Sequence, residues 1–192
     1  MDKTPLELVH DLMNQSTYVS LSTIMSPALE DDMNDAGVHL IDGFTAENSD
    51  QAERDKVGTL FRQDWQNNGW PYASWVAVFI VDFVPYMLIS MLSEHTKNIQ
   101  AGPRVSLLMN DESFEGNNKA LMGRVSLMGE AVLTDKEELR DAYLAERPKS
   151  TVFYDFEDMQ LYRIDVQCAR LVAGFGKAWW ISGAEIRGDS HG

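Results

Sequence analysis

The chain has 192 residues and a formal net charge of −14, from 16 lysines and arginines against 30 aspartates and glutamates. This length fits one domain with a real core, or one domain plus an extension, better than two full domains. The negative charge is unsuited to neutralising a phosphate backbone or attracting anionic lipid, so neither nucleic acid nor a membrane is an expected partner. The longest apolar run, WVAVFIV, is far shorter than the roughly 20 residues of a membrane-spanning helix.

Two features predict a cytoplasmic protein. The N-terminal segment MDKTPLELVHDL carries acidic residues early and lacks the apolar run of a secretory signal. The single cysteine, Cys168, excludes an internal disulfide. Cys168 follows Ile164 and Val166 at period two, which predicts a small core residue on a strand rather than a nucleophile.

In chain order, the first predicted element is a helix in PLELVHDLM, whose apolar residues recur at helical spacing behind Pro5. Residues 26–56 are acidic and rich in turn formers, so residues 1–56 are predicted as a helix followed by an irregular arm. From Val57 onward, VGTLF, YASWVAVFIVD and YMLIS predict a β-meander. Because SWVAVFIV is apolar on both faces, we expect it to be covered on both sides, as in a barrel wall that meets a second subunit.

The second half continues with strands around two helices. Ser93 is expected to cap a short helix in EHTKNIQA that ends at a left-handed Gly102. VSLLMN and GRVSLMGEAVL are predicted strands, and Gly129 inside the latter predicts a bulge. TDKEELRDAYLAERP predicts a helix with a capping box of Thr134 and Glu137.

MQLYRIDVQCARLV and AWWIS are the last predicted strands, and residues 184–192 are expected to form a flexible tail. Closely spaced antiparallel strands of this kind, with helices at the ends of the series, predict a mainly β, α+β protein built on a small barrel.

The turn SMLSEHTKN is the strongest candidate site. A helix N-terminus offers free backbone N–H groups and the positive end of a dipole, so it can bind an anion such as phosphate. The side chains that would add donors or charge are Ser90, Ser93, His95, Thr96, Lys97 and Asn98. The alternative is that the hydroxyls only cap the helix while His95 and Lys97 face water, and Glu94 in the first turn favours that alternative.

Other site chemistry is sparse. The histidines lie far apart in the sequence and no cysteine cluster accompanies them, so no metal site made by protein ligands alone is expected. The GFG motif has too few glycines for a dinucleotide-binding fingerprint and precedes a strand, so it is expected to be a turn. Trp179 and Trp180 take opposite faces of the last strand, so one is expected to pack in the core while the other is free to meet a ligand, a subunit or solvent.

Several segments together resemble a known family. GWPYASWVAVFIVD, PYMLISMLSEHTKNIQAGPRVSLLMND, RVSLMGEA, AYLAERP and LYRIDVQCARLVAGFGKAWWISG are similar, in order and spacing, to the FMN-binding split-barrel proteins related to pyridoxamine 5'-phosphate oxidase. Within that superfamily the resemblance is strongest to the haem-utilisation branch. It covers residues 57–183, which it identifies as an FMN-binding split-barrel domain, and leaves the arm at residues 26–56 unmatched.

The resemblance implies a homodimer of six-stranded antiparallel split barrels with one FMN in each of two clefts at the subunit interface. The strand segment PYASWV would run under the isoalloxazine, the turn SMLSEHTKN would hold the phosphate, an arginine would reach the flavin from the other subunit, and the terminal strand would close the cleft. The residues implied for these roles are Ser74, Trp75, Val76, Ser90, His95, Thr96, Asn98, Arg124, Lys177 and Trp179.

The sequence departs from the oxidase at three phosphate positions, where Ser74, His95 and Thr96 stand in place of basic residues. The oxidase's C-terminal arginine motif is also absent after Trp180, so a true pyridoxamine-phosphate oxidase is not expected. The main prediction is therefore an FMN-binding flavoprotein, an oxidoreductase of unassigned substrate and catalytic residues.

Two alternatives stay open. One is a haem-binding or haem-degrading protein of iron utilisation, with His191 as the axial ligand from the tail, unless that residue is merely disordered. The other is a non-catalytic interaction protein whose acidic arm is its partner surface.

Overall fold

The computed structural model describes residues 3–25 and 69–189. In these ranges the chain forms a mainly antiparallel β half-barrel with a few helices, which confirms the predicted α+β class. The elements are α1 (Pro5–Gln15), β1 (Tyr18–Ile24), β2 (Pro71–Ala77), β3 (Phe79–Val81), β4 (Val84–Ser90), α2 (Glu94–Ala101), β5 (Arg104–Asn110), β6 (Arg124–Thr134), α3 (Arg140–Glu146), β7 (Met159–Val172), β8 (Ala178–Ser182) and α4 (Gly183–Arg187). Short 3-10 helices cover Lys119–Leu121, Glu137–Leu139 and Pro148–Val152.

The strands follow the order β2-β1-β5-β6-β7-β4-β3, and β8 pairs with β7 outside this path. The two ends of the path, β2 and β3, are consecutive in the chain and are separated only by Val78. The sheet therefore curls so that its two edges approach each other. The family resemblance implies six barrel strands, whereas the described residues form eight. YASWVAVFIVD is divided at Val78, and β1 lies in a segment for which no strand was predicted.

Arg147 fixes the bend between β2 and β3. The Val78 N–H donates to the Thr17 carbonyl at 3.0 Å. The Arg147 guanidinium donates to the carbonyls of both Val78 and Thr17. The guanidinium thus gives the Val78 carbonyl a donor where the ladder is interrupted, and it adds a second donor to the Thr17 carbonyl.

The main core lies inside the curled sheet and is closed at one end by α1. Apolar side chains at alternate strand positions fill it, among them Leu21, Leu107 and Leu127, all fully buried. Val9, Leu12 and Met13 of α1 pack against them at helical spacing. A second, smaller cluster comprises Phe79, Leu88, Tyr143, Tyr154 and Leu161.

The bulge predicted at Gly129 is confirmed, since Met128 pairs with Cys168 whereas Gly129 pairs with Val166. A Cβ on Gly129 would lie 2.3 Å from the Asp165 carbonyl oxygen, so only glycine fits there. The extra residue in β7 inverts the alternation of its side chains, which places Cys168 on the outer face. The prediction that Cys168 is a core residue is therefore wrong, and its free thiol is partly exposed.

The helix termini differ from the predictions in two places. Gly102 ends α2 with a φ of −159°, in extended rather than left-handed conformation. The capping box predicted for Thr134 and Glu137 is wrong, because Thr134 remains in β6 and the Glu137 N–H donates to the Asp135 carboxylate at 2.9 Å.

A capping box occurs instead at α4, between Ser182 and Glu185. This helix occupies the start of the segment expected to be a tail. The arm at residues 26–56 and the strand predicted in VGTLF lie outside the described residues, so the division of the chain at residues 56 and 183 stays a prediction.

Candidate functional site

The turn before α2 is held closed by Asp158. The Ser90 hydroxyl donates to the Asp158 carboxylate at 2.5 Å, and the Met91 N–H donates to the Asp158 carbonyl at 2.8 Å. The Leu92 N–H in turn donates to the Ser90 hydroxyl oxygen at 3.1 Å. Ser90, predicted to begin the phosphate contacts, is thus already bound to a negatively charged group.

The hydroxyl and amide groups of α2 are also engaged within the protein. Ser93 caps no N–H of the helix; its hydroxyl donates to the Ser90 carbonyl at 2.7 Å and lies 2.8 Å from the Thr96 hydroxyl. The Asn98 amide donates to the Thr23 hydroxyl of β1 at 3.0 Å. Thr96 and Asn98 are buried, so in this conformation they join the helix to the sheet, and their part in cofactor binding stays a prediction.

His95 and Ser74 differ from these neighbours. The Nε2 atom of His95 and the hydroxyl oxygen of Ser74 are both buried and make no hydrogen bond within the described ranges. Burial lowers the pKa of His95 below its ordinary value, which favours the neutral imidazole. A buried polar atom without a partner is uncommon in folded proteins, so these two positions are the strongest sign of a ligand near α2.

The three predicted residues of β2 do not share a face. Ser74 pairs with Leu21 and Val76 with Val19, and both partners are buried in the core. Trp75 pairs with Ser20 on the outer face and is 63 % exposed. Within the described residues β2 pairs only with β1, so its other edge leaves backbone groups available.

A continuous row of side chains crosses the outer face of six strands at one register level. We call it the outer row, and its members in strand order are Trp75, Ser20, Leu108, Ser126, Arg170 and Trp180. The terminal tryptophans are 63 % and 64 % exposed, and the Arg170 guanidinium carbon lies 5.2 Å from the Trp180 ring centroid. The row therefore combines flat apolar surface, small side chains and a cation.

Sequence reasoning missed Arg170 and left open which tryptophan of the terminal pair is exposed. Trp179 packs against the core, whereas Trp180 is exposed, so the two do take opposite faces as predicted. Arg170 could not be placed, because the bulge in β7 shifts the alternation that a simple period-two pattern assigns. Knowing the position of the bulge would have revealed it.

Arg124 and Lys177 lie at the margins of the same face. Arg124 opens β6, pairs with Val172 and donates to the Met122 carbonyl at 3.2 Å. Lys177 is exposed in the turn between β7 and β8. Neither lies in the outer row, but both add positive charge near its β7–β8 end.

In the two described histidines the Nε2 atom is either hydrogen-bonded or buried. The Nε2 atom of His10 lies 2.8 Å from the Ile186 carbonyl oxygen, and that of His95 is buried. No group of three or more histidine, cysteine, aspartate or glutamate residues within the described ranges could hold a metal. His191 lies outside those ranges. The β7–β8 end of the outer row thus offers a flat anionic cofactor an exposed ring, Trp180, and a cation, Arg170, but no histidine.

Comparison with known proteins places this geometry in a family. The profile described as CREG, beta-barrel matches residues 50–186, more than two thirds of the chain. The chain belongs to the CREG β-barrel family. The resemblance to split-barrel proteins of the pyridoxamine 5'-phosphate oxidase kind, and to their haem-utilisation branch, is thereby confirmed.

Two curated relatives share this sequence pattern. The chloroplastic heme oxygenase HOZ of Arabidopsis thaliana is 34% identical over 129 residues, which cover 65% of this chain and 38% of HOZ. Heme oxygenase HutZ of Vibrio cholerae is 28% identical over 109 residues, which cover 53% of this chain and 61% of HutZ. The chain thus spans between about two fifths and three fifths of the length of these relatives.

Structural comparison supports the fold. A heme binding protein from Mycobacterium smegmatis superimposes with a TM-score of 0.70 over 98% of this chain and 62% of its own, at 18% identity. Among the described residues, none of the helices has the length and apolar character required to cross a membrane.

Proposed function

We propose that this CREG-family protein binds haem and takes part in its degradation. The β7–β8 end of the outer row carries the proposal, because exposed Trp180 supplies flat apolar surface and the adjacent Arg170 supplies a cation for a carboxylate of the ligand. Two relatives named heme oxygenases support it. The alternative weighed from the sequence thus becomes the main proposal.

The chemistry of the α2 turn argues against phosphate as the first choice there. Asp158 holds Ser90 at 2.5 Å, and Glu94 lies in the first turn of the helix. Two carboxylates beside a helix N-terminus repel a dianion and offset the dipole that would attract it. None of the donors predicted in this turn is an arginine.

FMN remains a second candidate because of one specific observation. The buried His95 Nε2 and Ser74 hydroxyl lack hydrogen-bond partners within the described residues, and both belong to the set that the family resemblance implies for FMN. A bound flavin would bring acceptor and donor atoms to that region. The FMN proposal therefore depends on these two atoms rather than on the bonded hydroxyls.

In the haem proposal each group of this chain has a separate task. Trp180 would lie against the flat ligand and exclude water on that side, and the adjacent Arg170 would pair with a carboxylate. His191 is proposed as the residue that would hold the iron, since the Nε2 atom of His10 is hydrogen-bonded and that of His95 is buried. Bound haem would supply the iron chemistry with oxygen, and the protein would tune it through the axial ligand and the polarity around it.

We further propose that the protein is a homodimer that uses the outer face. Exposed Trp75 and Tyr18 form a parallel ring pair with centroids 6.3 Å apart, a large apolar surface for a single chain. Substituting Trp75→Glu is expected to convert a dimer into a monomer in sedimentation measurements. An unchanged sedimentation coefficient, or a monomeric wild type, would contradict this assembly.

Absorption titration of the full chain with haemin and with FMN tests the function. We expect a saturable Soret band with haemin, whose position changes in His191→Ala and stays the same in His39→Ala. Arg170→Gln is expected to weaken haemin binding about tenfold or more through the lost charge pair, whereas Arg140→Gln serves as an exposed arginine control.

Absence of saturable haemin binding would refute the haem proposal. If FMN binds instead, and His95→Ala combined with Thr96→Ala abolishes its flavin bands, the second candidate replaces the first.

A further inference from the structure

A cavity of about 300 Å³ lies on the side of the barrel near the hairpin between β3 and β4 and near α4. Phe83, Tyr86, Arg163, Asp165 and Arg187 contribute to its lining. None of these residues belongs to the outer row or to the α2 turn. Its volume is at the lower end of the roughly 300–1,000 Å³ range of small-molecule sites, so a ligand would be small.

The two arginines each retain donor capacity at the cavity. Arg163 engages Asp165 through Nε and Nη2, at 2.8 and 3.1 Å. Arg187 engages Asp189 through Nε and the Val166 carbonyl through Nη1, both at 2.9 Å. Within the described residues, Nη1 of Arg163 and Nη2 of Arg187 have no hydrogen-bond partner. The existing bonds therefore orient both guanidinium groups while leaving N–H groups for a further acceptor.

Tyr86 adds a neutral donor beside Arg163. The two residues are directly paired across β4 and β7, so their side chains emerge on the same face. Burial raises the pKa of Tyr86, so its hydroxyl stays protonated near neutral pH. A carboxylate between them could accept from both the hydroxyl and the guanidinium.

Phe83 provides an apolar wall in a strained backbone conformation. Its φ is 61°, in the left-handed region that a bulky residue rarely occupies. The ring stacks on His10 of α1, with centroids 3.6 Å apart and planes inclined by 11°. This contact between the hairpin and α1 holds the aromatic ring in place at the cavity.

The charges of the lining restrict the ligand class. Each guanidinium group of the lining is paired with one carboxylate, Arg163 with Asp165 and Arg187 with Asp189, so the two pairs carry no net charge. Asp82 and Glu138 lie near enough to act electrostatically on Tyr86, so negative charge surrounds the region. A single carboxylate can accept from the remaining guanidinium N–H groups, and the surrounding carboxylates repel it less than they repel a dianion.

We propose that this cavity is a binding site for a small organic monocarboxylate with a flat apolar body. The carboxylate contacts Arg163, Arg187 and Tyr86, and the apolar body lies against Phe83. This site is separate from the proposed haem site and does not depend on it.

Calorimetric titration of the full chain at constant ionic strength tests the proposal with three probes: benzoate, its neutral isostere benzamide, and inorganic phosphate. We expect saturable benzoate binding and at least tenfold weaker binding of the other two. Arg163→Gln and Arg187→Gln should each weaken benzoate about tenfold, because each removes a charge-assisted hydrogen bond.

Arg140→Gln is the matched control, since Arg140 forms the same two-bond pair with Asp155 outside the cavity lining. Tyr86→Phe keeps the shape of the side chain and decides the question if Arg187→Gln does not fold. Equal affinity for benzoate and benzamide would overturn the proposal. So would benzoate binding that survives both Arg163→Gln and Tyr86→Phe, or the absence of saturable binding.

Discussion

The outer row and the α2 turn both carry side chains able to bind a ligand, yet they are organised in opposite ways. In the turn, Ser90, Thr96 and Asn98 are all bonded to other protein groups. In the outer row, Trp75 and Trp180 remain largely exposed. The hydroxyl-rich α2 turn thus uses its side chains to hold the fold together. The outer row, which no contiguous sequence motif reveals, leaves its tryptophans exposed.

The difference shows why donor-rich turns are ambiguous in a sequence. Hydrogen-bonding side chains near a helix start satisfy local backbone groups as readily as they bind ligands. Exposed tryptophans have no such structural use, because leaving a large apolar side chain in water gains nothing for folding. We therefore expect substitutions in the turn to change stability most, and substitutions in the outer row to change ligand binding most.

Removing the carboxylate that closes the turn should have the largest effect on stability. Asp158→Ala deletes the charge-assisted hydrogen bond from Ser90, so we expect the free energy of unfolding to fall by about 1.5–3 kcal/mol. Urea denaturation measures this change. The control is Asp155→Ala, whose exposed pair with Arg140 should contribute about 0–1 kcal/mol. Equal losses in the two variants would show that the turn is not held by Asp158.

The buried hydrogen bond between Asn98 of α2 and Thr23 of β1 provides the next test of how the α2 turn is stabilised. Asn98→Ala removes the bond to Thr23 and leaves that buried hydroxyl without its donor, at a cost of about 1–3 kcal/mol. The double variant with Thr23→Val should recover part of the loss, because neither polar group is then left unpaired. If the double variant is less stable than the sum of the single losses, the pair is not the source of the effect.

The strands could be predicted well wherever alternation was unbroken. The range predicted for MQLYRIDVQCARLV matches β7, and AWWIS matches β8. The bulge at Gly129 was also predicted, because glycine inside a strand often marks a bulge or a bend. Its effect on the other strand was not foreseen: the extra residue in β7 moved Cys168 outward and brought Arg170 into the outer row.

The candidate site could be predicted only in part, since its composition depends on register between distant strands. Trp75 and Trp180 are 105 positions apart in the sequence and share a level only through five successive strand pairings. Asp158 likewise reaches Ser90 across 68 positions. Local patterns do not encode these pairings, so the closing carboxylate of the turn and the arginine of the outer row were both missed.

Substitutions in the outer row should change ligand binding more than stability, the reverse of what we expect for the α2 turn. Trp180→Ala removes an exposed ring and its contact with Arg170, so we expect the free energy of unfolding to change by only about 0.5–1 kcal/mol. Haemin affinity should fall about tenfold or more, because the flat apolar surface is lost. Trp179→Phe is the control on the buried side of β8. Unchanged haemin affinity in Trp180→Ala would remove the outer row from the proposed site.

The smallest expected effect is a pH dependence of the free energy of unfolding that arises from His95 in α2. Burial lowers the pKa of His95 in the folded protein from the ordinary value of 6.5, so the unfolded chain binds the additional proton first as the pH falls. Stability should therefore decrease as the pH is lowered from about 6.5 towards the folded-state pKa, and change no further from this group below it. His95→Gln, compared with the wild type by urea denaturation across this range, should flatten that part of the curve, and His10→Gln is the control. A ligand that hydrogen-bonds the neutral, buried Nε2 atom would lower the pKa of His95 further. If FMN binds beside His95, adding FMN should therefore extend the loss of stability to lower pH. Haemin bound at the outer row should leave the pH dependence of stability unchanged.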